Sequence, residues 1–77
     1  MNITLRQLEA FVAVAQTKNF TRAAQRLHIA QSAISLLVKE LESDLGIRLL
    51  DRTTRHVELT DPGIEFRGYA EKLIGDL

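Results

Sequence analysis

The sequence predicts a mainly α-helical module in which three helices, a two-stranded β-hairpin and a fourth helix follow one another. Three observations carry this reading. Apolar residues recur at helical spacing over roughly 5–16, 31–45 and 64–77. Between Ile47 and Leu59 the spacing of apolar residues drops to two, the period of a strand. A length of 77 residues holds one compact unit, which leaves no place for a catalytic cleft between two lobes.

The elements follow in order. Thr4 is placed to cap the first helix, and Gln7 three residues on completes a capping-box pattern. Leu5, Leu8, Phe11, Val12 and Ala15 give that helix its apolar face over about 5–16, and Lys18-Asn19 breaks it. Thr21 is the next capping candidate, ahead of the short helix-forming run 22–27. His28-Ile29-Ala30 is a tight connection, with histidine at the position of unusual backbone angles. The small Ala24 allows close helix approach, and Leu27 and Ile29 anchor the turn on both sides. From Gln31 a longer helix presents Ile34, Leu37, Val38, Leu41 and Leu45 as one stripe, and Gly46 stops it. Residues 47–50 and 56–59 read as two strands joined by the polar 51–55. Two strands alone are marginal, so the hairpin must lean on the helices. Thr60 caps a last helix with Asp61 and Pro62 in its first turn, carrying Ile64, Phe66, Tyr69, Ala70, Leu73, Ile74 and Leu77. The apolar period is still running at Leu77, which leads to the expectation of a longer parent chain.

Composition narrows the chemistry. Hydrophobic residues at 45% and charged residues at 26% are ordinary globular usage. Cysteine is absent, which excludes disulfides and thiolate metal sites, and the two histidines, His28 and His56, are too few for the commoner metal centres. No cofactor and no metal are expected within this module. The chain carries no run of 18 apolar residues and no export leader, so a cytoplasmic location is expected. Ten basic residues balance ten acidic ones, an unpromising sum for a nucleic-acid binder. The distribution reverses that impression. No acidic residue lies between Glu9 and Glu40, while Lys18, Arg22, Arg26 and Lys39 do, leaving that stretch at plus four. Arg22 and Arg26 are four apart and share a side of the short helix, a like-charge pair that an external anion would relieve.

The order of elements is that of a winged helix-turn-helix, the hairpin being the wing. At about 100° per residue, Ser32, Ser35, Leu36 and Lys39 project opposite the apolar stripe of the third helix, with Gln31 at its N-terminus. A face that is small, polar and nearly uncharged suits a major groove, where glutamine pairs with adenine, serine bonds several bases and leucine packs on a thymine methyl. At the hairpin tip, Arg52, Thr53, Thr54 and Arg55 are placed for the phosphate backbone or a narrow minor groove. Phe66, Ala70, Leu73 and Leu77 follow a heptad-like seam widened by Ile64, Tyr69 and Ile74, which predicts pairing with a second copy and recognition helices about 34 Å apart. Two other classes compete. A winged helix used for protein interaction calls for acids near the N-terminus of the third helix or a wing without bases, and neither is present. A small enzyme has ingredients in Ser32, Ser35, His28, His56, Asp51 and Asp61, but no strand-turn-helix elbow of the G-x-S-x-G type.

At the level of motifs the chain resembles the LysR-type bacterial transcriptional regulators. The matching stretches are Leu5-Arg6-Gln7-Leu8, Phe11-Val12-Ala13-Val14-Ala15, Asn19-Phe20-Thr21-Arg22-Ala23-Ala24 and Leu27-His28-Ile29-Ala30-Gln31-Ser32-Ala33-Ile34-Ser35. They continue through Leu41-Glu42, Leu45-Gly46-Ile47-Arg48-Leu49-Leu50, Arg52 and Leu59-Thr60-Asp61-Pro62-Gly63. The resemblance implies a DNA-binding domain over 1–59, with the helix-turn-helix at about 20–39 and the wing at about 47–59. It also implies that 60–77 begin a linker and dimerisation helix leading to a C-terminal domain that binds a small-molecule effector. It places base contacts on Gln31, Ser32, Ala33, Ser35 and Leu36, and backbone or wing contacts on Thr21, Arg22, Lys39, Arg52, Thr53, Thr54 and Arg55. The dimer helix is assigned Phe66, Tyr69, Ala70, Leu73 and Leu77. The implied partners are an operator of inverted-repeat half-sites and further copies of the chain, as a dimer or, in the full-length protein, a tetramer. Ser32 stands where many members have proline, and Leu36 where members frequently have arginine or another polar residue.

Overall fold

The structure is a computed structural model that describes residues 2–52 and 56–75. Its elements run α1 (Leu5–Thr17), α2 (Phe20–Leu27), α3 (Gln31–Leu45), β1 (Leu50–Asp51), β2 (Glu58–Leu59) and α4 (Asp61–Gly75). The capping box forms at α1: Thr4 Oγ1 accepts from the Gln7 amide at 3.1 Å, and the Thr4 amide donates to Gln7 Oε1 at 3.0 Å. Lys18 ends α1 in the left-handed region at φ 53°. The next helix starts earlier than its Thr21 cap predicts. Asn19 is the cap, its Oδ1 accepting from the Arg22 amide at 2.9 Å, because an Asx side chain directly after the αL residue Lys18 already faces the free N–H groups. Thr21 therefore lies inside α2. His28 takes φ 58°, as expected of the turn, and the Ile29 amide closes the cap on Ala24 O at 3.1 Å. Gly46 ends α3 in the same left-handed conformation.

The core is the common interior of α1, α3, α4 and the root of the wing. Phe11, Val14, Ile34, Val38, Leu41, Leu49 and Leu50 are fully buried there. Burial of such side chains is worth about 1.5–3 kcal/mol each before entropy is charged against it. Ala23 and Ala24 are buried as well, and their small side chains let α2 approach its neighbours closely.

The wing is shorter than the alternation predicts. Leu50 pairs with Leu59 and Asp51 with Glu58 in antiparallel register, so the strands expected at 47–50 and 56–59 shrink to two residues each. Backbone groups upstream are committed elsewhere. The Ile47 amide completes the α3 cap on Glu42 O at 3.3 Å, and the Leu49 and Leu50 amides bond the Glu42 carboxylate. Thr60 caps α4 as expected, accepting from the Gly63 amide at 3.0 Å while its hydroxyl donates to Arg48 O at 2.5 Å.

Helix α4 packs on the core through Phe66, Ala70 and Ile74, with the Phe66 ring 5.7 Å from that of Phe11 in α1, while Gly63 lies against Leu49 at the wing root. That corrects the seam read from the sequence. Ala70 is wholly buried within the protomer and so does not face a second copy, while Phe66 is half-buried against Phe11. A stripe at i, i+4, i+7 has two possible neighbours, and here α1 takes its middle. Ile64, Tyr69 and Leu73 stay exposed at the flanks of α4, and Leu77 lies outside the described residues.

A polar chain ties the same helices together. Gln16 Nε2 donates to Glu71 Oε2 at 2.9 Å, Arg67 Nε donates to the same oxygen at 3.0 Å, and Arg67 Nη1 reaches Ala15 O at 3.4 Å. The Gln16 bond, and after it the Arg67 bond, hold the Glu71 carboxyl below the ordinary carboxylate value. A carboxyl lowered by folding contributes stability above its unfolded pKa and loses it as pH falls through the folded one. The stability advantage of wild type over Glu71→Gln is expected to be greatest at neutral pH and to vanish in acid, as read from urea midpoints across pH. Its size is expected to be small, since the pair is solvent-exposed.

Candidate nucleic-acid interface

The outer face of α3 arises from the helical period. Ile34, Val38 and Leu41, with Leu37 and Leu45 partly buried beside them, take the directions that face the core, so the opposite side of the helix is left outside. Gln31, Ser32 and Lys39 are exposed, Ala33 and Ser35 are half-buried, and Leu36 is 57% exposed. The cap residue Ala30 supplies no side-chain acceptor, so the first N–H groups of α3 remain open at the solvent end of this face. Thr21 Oγ1 lies 3.4 Å from Gln31 Oε1 and donates to it, joining the starts of α2 and α3 and orienting the Gln31 amide.

The cations are redistributed relative to the sequence expectation. Lys18 pairs with Glu58 of the wing at 3.7 Å, both side chains being exposed. Arg26 Nη1 donates to Gln16 Oε1 at 2.6 Å and so joins the polar chain that runs to α4. Arg26 is thus drawn toward α1, while Arg22 stays exposed at the start of α2. Arg22, next to Thr21, and Lys39, one turn beyond Ser35, are the exposed cations that border the α3 face.

Arg52 leaves the wing tip and folds back. Its guanidinium carbon sits 4.7 Å from the centre of the Phe20 ring, Nη2 lies 3.9 Å from Glu42 Oε1, and Nη1 donates to Ser35 Oγ at 3.4 Å. It joins α2, α3 and the wing, and its side chain keeps 32% exposure beside the outer face. Glu42 is the residue that sequence reasoning passed over. It lies seven positions after Ser35, two turns along the same face, and that spacing is the signal that could have paired the two. Thr53, Thr54 and Arg55 lie outside the described residues. Among the described residues, no group of three or more His, Asp or Glu side chains is placed to hold a metal ion, and no helix is long and apolar enough to cross a membrane.

Comparison with known proteins agrees with this architecture. A family model described as "Bacterial regulatory helix-turn-helix protein, lysR family" matches residues 5–64. The chain is 53% identical over 77 residues to an uncharacterised HTH-type transcriptional regulator, YfeR, of Shigella flexneri, covering 100% of this chain and 25% of that protein. It is 43% identical over 75 residues to the HTH-type transcriptional regulator CfxR of Cupriavidus necator, covering 97% of this chain and 24% of that one. It thus spans about a quarter of the length of these curated relatives. Among solved structures, the BenM DNA-binding domain in complex with catB site 1 DNA superposes with a TM-score of 0.91 at 45% identity, over 95% of this chain and 82% of that one. OxyR of Corynebacterium glutamicum, as a hydrogen-peroxide-bound C206S mutant, superposes with a TM-score of 0.94 at 36% identity, over 99% of this chain and 24% of that one. A four-helix frame with a short wing, and a family match across most of its length, lead to one conclusion: the chain belongs to the lysR family of bacterial regulatory helix-turn-helix proteins.

Proposed function

We propose that this chain is the DNA-binding module of a LysR-type transcriptional regulator, reading duplex DNA with α3 in the major groove and the wing against the backbone and minor groove. The observation that carries it is the N-terminal part of the α3 face, where Gln31, Ser32, Ser35 and Leu36 are presented beside Arg22 and Lys39, ahead of the first acidic residue of the helix, Glu40. That surface offers donors, acceptors and one apolar contact to base edges, with cations at its border for phosphates. The similarity to the BenM domain, which was solved on DNA, supports the same reading. In it, residues 1–59 form the reader and 60–77 begin a linker helix. A C-terminal domain beyond them binds the effector, and the protein acts in the bacterial cytoplasm as a regulator with no enzymatic activity of its own. Dimerisation is assigned to the exposed flank of α4, where Tyr69 and Leu73 stand beside a shallow cavity of about 250 Å³ lined by Ile47, Pro62, Glu65, Phe66 and Tyr69. Pairing through that flank, toward a tetramer in the full-length protein, matches an operator of inverted-repeat half-sites.

The test is the salt dependence of binding to specific and random duplexes. Phosphate contacts make the logarithm of affinity fall linearly with the logarithm of salt, by about 0.9 per phosphate neutralised. A flat response overturns the proposal. Selection from a random pool with Ser35→Ala or Leu36→Ala is expected to shift preference by about 1–3 kcal/mol per affected base pair. If both variants weakened specific and random DNA equally, base reading by this face would be wrong.

A further inference from the structure

The placement of Arg52 gives it a role different from a wing contact. A guanidinium carries only donors, and a serine hydroxyl carries one hydrogen and two lone pairs. Arg52 Nη1, 3.4 Å from Ser35 Oγ, claims a lone pair, and the cation's field turns the O–H dipole so that the hydrogen points away from it. The guanidinium is itself held in place. The Phe20 ring lies beneath its carbon at 4.7 Å, and Glu42 Oε1 draws Nη2 at 3.9 Å. The other oxygen of Glu42 is fixed by the Leu49 and Leu50 amides at 2.7 and 3.1 Å, so the carboxylate cannot swing to follow the arginine. A free serine is an ambiguous reader, because it can donate to or accept from a base. A serine whose hydroxyl is polarised from behind by a fixed cation reads as a donor.

We propose that Arg52 is a positioning residue for base recognition: held by Phe20 and Glu42, it sets the Ser35 hydroxyl as a hydrogen-bond donor. Ser35 then selects the acceptors of the major-groove edge, purine N7, guanine O6 or thymine O4, and disfavours the amino group of cytosine. This rests on the DNA-binding reading above and adds to it the direction of the serine's hydrogen bond and the residue that sets it.

The experiment is pool selection on the chain and on Ser35→Ala, Arg52→Met, Arg52→Lys and the Ser35→Ala/Arg52→Met double variant, with thermal melting of each. Arg52→Met keeps an aliphatic stem over Phe20 and loses the cation. It is expected to lose, by about three- to tenfold, the preference at the same base pair that Ser35→Ala loses. The double variant is expected to be no worse at that base pair than Ser35→Ala alone. Arg52→Lys keeps the charge and loses the fork, so it is expected to retain affinity for random DNA while its selectivity at that base pair falls. If Arg52→Met melts below the assay temperature, Arg52→Lys carries the test. A uniform loss across all sequences with a shallower salt slope makes Arg52 a phosphate contact and overturns the positioning role. So does a double variant whose losses at that base pair multiply. A wild-type chain that selects no duplex at all sinks the DNA-binding reading itself, a result distinguishable from both.

Discussion

Gly63→Ala is expected to be severely damaging, lowering stability by about 3 kcal/mol or more. Gly63 is buried in the first turn of α4 beneath the root of the wing. A Cβ there would overlap the Leu49 carbonyl oxygen and come within 2.9 Å of its carbon and 3.2 Å of its Cα. These are backbone atoms, which cannot rotate aside as a side chain would. Moving them would break the bond from the Thr60 amide to Leu49 O at 3.0 Å and disturb the Leu49 amide on Glu42 at 2.7 Å. The reason for glycine here is therefore a close approach, since Gly63 is not among the residues with positive φ. A domain of this size holds only a few kcal/mol of net stability, so the variant is expected to be largely unfolded at 25 °C. Urea denaturation followed by circular dichroism checks it, and a midpoint within error of wild type would show that α4 can shift away from the wing. Gly68→Ala is the control: a Cβ at Gly68 meets nothing within 4 Å, and alanine in mid-helix is favoured by about 0.5–1 kcal/mol.

Glu42→Ala is expected to cost about 2–5 kcal/mol by stranding groups that water cannot reach. Leu49 and Leu50 are fully buried, and their amides have the Glu42 carboxylate as acceptor. Each buried N–H left without a partner costs about 1–3 kcal/mol, and Arg52 loses its counter-charge as well. Glu42→Gln separates the two contributions. Its carbonyl oxygen can still accept from the amides while its NH2 group faces Arg52, so a smaller loss is expected than for alanine. Hydrogen exchange at the Leu49 and Leu50 amides is expected to quicken in Glu42→Ala well before that of the α1 core. Exchange that quickens equally everywhere would mean that Glu42 stabilises the whole chain and not the wing root in particular.

Both sites lie at the joint between α3, the wing and α4, where reading by sequence was weakest. The helices were legible because their signals are local: Thr4 with Gln7, His28 at a left-handed turn, Gly46 after Leu45 and Thr60 before Asp61 each act within one turn of chain. The Asn19 cap was missed because Thr21, an equally good capping type, stood two residues away, and only the backbone angles at Lys18 and Asn19 choose between them. The strands were read too long because alternation describes which face a side chain takes. It does not say whether an amide meets a strand or a glutamate.

The outward face of α3 was legible from period alone. Once Ile34, Val38 and Leu41 are inside, Ser32, Leu36 and Lys39 must be outside, whatever the rest of the fold does, and Gln31 is exposed because it begins the helix. The sequence by itself also determined the helix order and the concentration of positive charge between Glu9 and Glu40. Only the tertiary structure decided what those charges and the last helix do. Lys18 went to Glu58, Arg26 to Gln16 and Arg52 to Phe20, Glu42 and Ser35, while Phe66 and Ala70 went into the core beside α1. The physical reason is range. Backbone capping and amphipathic period are set by neighbours within four residues, whereas a long cationic side chain or a two-sided apolar helix takes whichever partner the folded chain brings within reach.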